Sequence, residues 1–309
     1  MLRLKHYVMA TGLVALLAGP AMAADSAAKA ASAHKASPHK ASSAKVTAFM
    51  AQNGAANILV LAQGTGPTVV LLPSLGRGQD DFDLMAADLA KAGFRVLRPQ
   101  PRGIDGSTGP MTGITLHDFA ADVAAAILAD NNGQPKKAIL AGHAFGGFVA
   151  RMLAVDRPDL TRGIVLMAAG AGVAPSPPKA RQAIKDSAND KLSDDKRLAA
   201  LQYVFFAPGN NPHVWLKNWH PHVLDQQRVA DDATPMSAYF AGGGVAPILD
   251  IQPTQDTIVP VSDSEIIKTK LAPRVTVVIV PHAGHAMIIE QPALVTKALV
   301  DWAHKLPKE

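Results

Sequence analysis

The sequence contains no cysteine, and this absence excludes several kinds of site. Without thiols the chain cannot form a disulfide, a zinc–thiolate centre, an iron–sulfur cluster or a cysteine nucleophile. Aromatic residues make up only 5% of the chain, and two of its three tryptophans, Trp215 and Trp219, are four positions apart. A hydrophobic core must therefore stabilise the protein, and 309 residues are enough to bury one large core.

Long hydrophobic runs are also absent. The chain has only a short apolar run near the N-terminus. Arg3 and Lys5 precede an apolar run at residues 8–18, and residues 21–23 read Ala-Met-Ala, a small-x-small cleavage pattern. The run is too short to span a bilayer comfortably as a retained helix. We therefore interpret residues 1–23 as a signal peptide and expect a periplasmic or secreted protein without stable membrane insertion.

The excess of positive charge is confined to the start of the chain. The formal net charge is +5, but six of the 30 basic residues and one of the 25 acidic residues lie in the first 45 positions. Residues 24–45 consist mainly of Ala, Ser, Lys and His, a composition that favours a disordered linker. Residues 46–309 are close to neutral, so the basic composition does not indicate a nucleic-acid partner.

From residue 46 onward, short apolar runs alternate with helical patterns. This alternation predicts an α/β fold with a mostly parallel sheet and helices on both faces. Strands are predicted at residues 68–72, 94–97, 138–141, 163–168, 247–251 and 275–280, and helices at residues 80–92, 116–129, 146–155, 262–271 and 292–306.

Residues 172–244 interrupt the alternation with a proline-rich start and charged helical sequence. We interpret them as a helical cap inserted into a single domain of residues 46–309. A cap over the carboxyl ends of the strands would line a pocket, because open α/β sheets bind ligands there. Trp215 and Trp219 would share a helix face in the core of this cap. The few charges near them indicate a small, partly apolar substrate.

The most informative motif is Gly142-His143-Ala144-Phe145-Gly146, where a predicted strand turns into a predicted helix. A strand–turn–helix with glycines around a central residue is the nucleophile elbow, Gly-x-Ser-x-Gly, here with alanine in place of serine. Such a turn presents its central side chain at a helix N-terminus, where backbone amides can stabilise an anion. Ala144 stands at the nucleophile position, and its methyl group cannot attack a substrate.

With this motif, residues 46–309 resemble the α/β-hydrolase superfamily, as a capped, esterase- or lipase-like member. In that family the acid and the histidine follow the nucleophile in chain order. Asp256, in Gln255-Asp256-Thr257, matches the acid position, and His285, in Gly284-His285-Ala286, matches the histidine position. The resemblance implies a catalytic His285–Asp256 pair, in which the carboxylate orients the imidazole.

The resemblance also implies an oxyanion hole formed by the backbone amides of Phe145 and Leu75. The family usually carries His-Gly-x in the first loop, where this chain has Pro73-Ser74-Leu75. Ser74 is the one serine near this hole, so it is a candidate for a relocated nucleophile or, more simply, a turn-forming residue. A further family-like loop begins at Arg102, to which we assign a structural role.

Ala144 leaves three classes of function open. The first is an esterase-like hydrolase in which His285 activates water or Ser74 attacks. The second is a cofactor-free lyase or oxygenase with His285 as general base. The third is a non-catalytic protein that binds a small molecule in a retained pocket. The sequence has no nucleotide-binding glycine loop and no metal-ligand set, so we expect no cofactor and no metal.

We predict that signal cleavage occurs after Ala23, because the small residues at positions 21 and 23 fit the cleavage site. N-terminal sequencing of the exported protein should give Ala24 as its first residue. An exported protein that begins at Met1 would contradict this prediction.

Overall fold

A computed structural model describes residues 44–172 and 176–307. The sequence-predicted signal peptide and nearly all of the predicted linker lie outside these residues. In the described residues an eight-stranded sheet forms the centre of the fold. The strands are β1 (Thr47–Asn53), β2 (Ala56–Gln63), β3 (Thr68–Leu72), β4 (Arg95–Pro99), β5 (Ala138–His143), β6 (Thr161–Met167), β7 (Ile248–Pro253) and β8 (Val275–Val280).

The sheet has the order β1-β2-β4-β3-β5-β6-β7-β8. Strands β3 to β8 pair in parallel, whereas β1 pairs with β2 and β2 with β4 in antiparallel orientation. The prediction of a mostly parallel α/β sheet is therefore confirmed. Strands β1 and β2 were not predicted from the sequence, since an antiparallel hairpin at the edge carries no helix between its strands.

In the part of the chain that the structure describes, ten α-helices connect or follow these strands. They are α1 (Asp83–Lys91), α2 (Leu116–Asp130), α3 (Phe145–Asp156), α4 (Pro178–Ala188), α5 (Asp194–Val204), α6 (Pro221–Asp232), α7 (Met236–Tyr239), α8 (Ser262–Leu271), α9 (Met287–Glu290) and α10 (Pro292–Ala303).

Two apolar layers cover the two faces of the sheet. One layer packs α2, α3 and α8 against the sheet, with fully buried side chains such as Leu116 and Leu153. The other packs α1, α9 and α10, with Leu89 and Leu299 fully buried. The central strands β3, β5 and β6 are buried along nearly their whole length, because neither face of a doubly covered sheet meets water. None of the helices in the described parts of the chain is long and apolar enough to cross a membrane.

Helices α4 to α7 lie between β6 and β7, and we refer to residues 176–244 as the inserted helical segment. Its own apolar cluster is centred on Trp215, which is 1% exposed. The prediction that Trp215 and Trp219 share a helix face is wrong. Trp215 ends a short 3-10 turn, Trp219 follows it in a loop, and the Trp219 indole N–H donates to the Trp215 carbonyl at 2.7 Å.

Arg102 forms a buried ion pair with Asp122 on α2. Its guanidinium donates from Nε and Nη2 to the two carboxylate oxygens of Asp122 on α2, at 2.6 and 2.7 Å. Asp122 also accepts a hydrogen bond from the Asn53 side chain at 2.9 Å. Such paired geometry satisfies two groups that would be costly to bury alone. Arg102 therefore ties its loop to the body of the domain, which supports a structural role.

Candidate active site

The turn between β5 and α3 is a tight elbow with Ala144 at its apex. A Cβ atom on Gly146 would lie 2.2 Å from the Leu72 carbonyl oxygen, and one on Gly142 would lie 2.1 Å from the backbone of Gly146. Only glycine fits at these two positions. Ala144 has φ 48° and ψ −111°, a strained conformation for a residue with a side chain. Its amide donates to the Met167 carbonyl at 2.9 Å, and this hydrogen bond helps to keep the residue in that conformation.

His285 and Asp256 come together at the carboxyl ends of the last two strands. Nδ1 of His285 lies 2.8 Å from Oδ2 of Asp256, and both side chains are almost wholly buried. Oδ1 of Asp256 accepts the backbone amides of Ile258 and Val259 at 2.7 and 2.9 Å. The carboxylate is therefore fixed from both ends. With Nδ1–H directed to Asp256, Nε2 of His285 is the ring atom left to accept a proton.

Glu290 anchors the loop that carries His285. Its Oε2 accepts the Gly284 amide at 2.7 Å, and its Oε1 accepts the Ala207 amide at 2.7 Å and the Asn210 side-chain amide at 2.6 Å. Burial raises the pKa of Glu290 in spite of these donors. This role of Glu290 was not predicted from the sequence, in which its position five residues after His285 was the available signal. The carboxylate joins the histidine loop to the inserted helical segment.

His143, next to the elbow apex, is a second buried imidazole that the sequence analysis missed. Its Nε2 lies 2.7 Å from the backbone carbonyl oxygen of His285, and the two rings are 5.2 Å apart. Its Nδ1 is buried and has no hydrogen-bond partner among the described residues. Burial, followed by the neighbouring His285, lowers the pKa of His143 to about 3. His143 is thus a neutral donor that supports the backbone of His285.

Leu75 and Phe145, the two predicted oxyanion donors, both border the cavity that Ala144 faces. Phe145 is the first residue of α3, so its amide has no intrahelical acceptor. The loop of Leu75 is held from the inserted helical segment: the Gly76 amide donates to Oε1 of Gln227 at 2.7 Å, and the Gly76 carbonyl accepts the His220 amide at 3.0 Å. These bonds fix the orientation of the backbone around Leu75.

A cavity of about 830 Å³ brings the sequence-predicted site residues together. The inserted helical segment supplies part of its wall, including Trp219 and Arg228. Every residue of the predicted site borders this cavity: Ser74, Leu75, Ala144, Phe145, Asp256 and His285. A volume of this size admits a small molecule. His282 lies exposed in the loop nearby and is not among the lining residues.

Within residues 44–172 and 176–307, no three His, Asp or Glu side chains come close enough to hold a metal ion together. The polar groups that line the cavity include the His285–Asp256 pair, three further carboxylates, two guanidinium groups and three hydroxyls. These groups suit proton transfer and the binding of a polar organic molecule. A carbonyl compound could lie between His285 and the amides of Leu75 and Phe145.

The chain is similar in sequence to known proteins. The model of the alpha/beta hydrolase family matches residues 69–298. RutD of Variovorax paradoxus (strain S110), provisionally assigned as a carbamate hydrolase, is 28% identical over 262 residues, which cover 77% of this chain and 91% of that protein.

Solved structures share the fold at low sequence identity. An esterase from Exiguobacterium antarcticum superposes with a TM-score of 0.70 at 18% identity, over 84% of this chain and 100% of that one. The enol-lactonase from Burkholderia xenovorans LB400 gives a TM-score of 0.69 at 22% identity, over 83% of this chain and 100% of that one.

We predict that His143 makes the folded protein sensitive to acid. Its pKa of about 3 lies below the ordinary value of 6.5, so between these values the unfolded chain binds a proton that the folded protein rejects. The free energy of unfolding should therefore fall as the pH falls, by up to ~1.4 kcal/mol per pH unit from this one group. Replacing His143 with Gln, which keeps a donor and does not titrate, should remove that part of the slope.

Urea denaturation between about pH 6 and pH 4 measures the two slopes. Asp250 is buried, and its pKa is raised to about 6, but it titrates in both proteins. The difference between wild type and His143→Gln therefore isolates His143. Equal slopes for two folded proteins would contradict the prediction.

Proposed function

The chain belongs to the alpha/beta hydrolase family, and we propose that it is a hydrolase of small, partly apolar esters or related carbonyl compounds that attacks its substrate without a serine at the elbow. The observation that carries this proposal is the buried His285–Asp256 pair, in which both carboxylate oxygens are held and Nε2 is left as a base. Its position in the same cavity as Ala144 supports the proposal. The hydrolase name of the Variovorax relative is consistent with it.

Water is the attacking group in this proposal. Nε2 of His285 removes a proton from water as the water oxygen bonds to the substrate carbonyl carbon. The carbonyl oxygen becomes an oxyanion, which the amides of Leu75 and Phe145 stabilise. When the tetrahedral intermediate collapses, the bond to the leaving group breaks and the proton on His285 passes to that group. Asp256 stabilises the imidazolium throughout and does not itself take the proton.

Ser74 is the alternative attacking group. It is 5% exposed and borders the same cavity, beyond the end of β3. Strand β3 pairs with β5 up to Leu72 and Gly142, so Ser74 and Ala144 follow neighbouring strands. Attack by Ser74 would still need His285 as the base. The substitution Ser74→Ala distinguishes attack by Ser74 from attack by water.

We also propose that the inserted helical segment is a cap and that the protein acts after export. The segment contributes Ile184, Phe205 and Trp219 to the cavity wall, which would exclude water from a bound apolar group. The proposed location in the periplasm or outside the cell depends on the signal-peptide pattern of residues 1–23.

We predict that the native protein hydrolyses short p-nitrophenyl esters slowly and that His285→Ala lowers this rate by about 10²-fold or more, the usual contribution of a general base. Asp256→Asn should also lower the rate strongly, because it removes the acceptor that orients His285. Ser74→Ala should retain the native rate within about twofold, since its hydroxyl takes no part in attack by water. Initial rates of p-nitrophenol release give these values.

The matched control is His282→Ala, which removes an exposed histidine from the same loop. Its rate should equal that of the native protein. Loss of activity in Ser74→Ala, with His285 still required, would show that Ser74 is the nucleophile. A native rate that survives His285→Ala would overturn the proposal, because it would show that His285 is not the base for ester hydrolysis.

A further inference from the structure

Arg228 differs from every other arginine in the described part of the chain. Each of the others donates at least one hydrogen bond to a carboxylate or a backbone carbonyl. Arg228 donates none to a described residue, has no ion pair within 4.0 Å there, and has a buried Nε without a partner. Unpaired guanidinium groups are costly to bury, so a partly buried one in a cavity wall suggests a ligand.

Arg228 lies on the face of α6 that meets the loop of Leu75. Leu224, Gln227 and Arg228 are spaced to share one side of the helix. Gln227 accepts the Gly76 amide at 2.7 Å, and Leu224 packs so closely that a Cβ on Gly76 would lie 2.7 Å from its Cβ. Arg228 also borders the cavity that contains His285. Its position is therefore set by the helix that holds the proposed oxyanion loop.

The acidic groups of the cavity are committed to other partners or lie at its rim. Asp231 accepts the Tyr239 hydroxyl at 3.0 Å, and burial raises the pKa of its carboxyl group. Asp263 accepts the Ala171 amide at 2.7 Å, and Asp256 is bound to His285. The exposed carboxylates of Asp225 and Asp232, on the same helix, favour the charged form of Arg228 by their proximity, but neither accepts a hydrogen bond from it.

The second arginine of the cavity, Arg181, is exposed and donates to the Ser176 carbonyl at 2.5 Å. Arg228 is thus the cationic group of the cavity whose donors remain uncommitted within the described residues.

We propose that Arg228 binds a carboxylate of the substrate, so that the cavity selects small esters or related compounds with an anionic group remote from the scissile bond. This inference rests on the proposed hydrolase function for the location of the scissile bond. A guanidinium presents parallel N–H donors that match both oxygens of a carboxylate. The apolar wall formed by Phe148, Phe205 and Trp219 would strengthen this ion pair by excluding water.

Binding, rather than turnover, tests the proposal. The probes are the monomethyl and dimethyl esters of succinate, glutarate and adipate, which differ pairwise by one negative charge. Isothermal titration calorimetry of the native protein should show that the best monomethyl ester binds at least about tenfold more tightly than its dimethyl partner. Arg228→Gln should abolish this preference, and Arg228→Lys should retain part of it.

Arg162→Gln is the matched control, because it removes the same charge from a residue that does not border the cavity. It should keep the native preference, and circular dichroism and melting temperature should show that each variant is folded. Equal binding of the two ester types, no saturable binding of any monoanion, or a preference that survives Arg228→Gln would overturn the proposal. A charge preference without hydrolysis would count against the hydrolase function alone.

Discussion

The close approach of α3 to the end of β3 is the constraint from which the site follows. The Gly146 backbone lies so near the Leu72 carbonyl that no side chain fits there. This contact forces the chain to reverse between Gly142 and Gly146 and places Ala144 in a strained conformation at the apex. Because β5 is central in a parallel sheet, the apex lies at the carboxyl ends of the strands, where the loops of Asp256 and His285 also lie. The arrangement persists although the apex carries only a methyl group.

The inserted helical segment stabilises this site as well as bordering it. Arg77 lies buried between Trp215 and Trp219, with its guanidinium carbon 4.8 and 4.9 Å from the two ring centres. Its Nε donates to the Asp81 carboxylate at 2.9 Å and its Nη1 to the Lys217 carbonyl at 2.6 Å. The first loop is therefore joined to the segment by a buried cation as well as by the Gly76 bonds. Movement of the segment would displace the amide of Leu75, which couples access to the cavity with the proposed oxyanion hole.

Sequence patterns predicted the features that depend on local chemistry. Glycines around Ala144 predicted the elbow, and the fold class followed from alternating strands and helices. The bounds of β3, β8 and α8 were predicted to the residue. Long-range partners left weaker signals: His143 bonds to the backbone of His285, 142 positions away, and Gln227 bonds to Gly76 across 151 positions. The edge strands β1 and β2 lacked the alternation that identified the others.

The central claim is that the elbow, the base and the oxyanion amides remain arranged for acyl chemistry although the nucleophile is absent. Ala144→Ser tests it most directly, because serine adds one oxygen at the apex, within the cavity that contains His285. A fluorophosphonate probe, located by peptide mass spectrometry, should label position 144 of this variant, leave the native protein unlabelled and fail to label Ala144→Ser combined with His285→Ala. A folded Ala144→Ser protein that resists the probe would contradict the account.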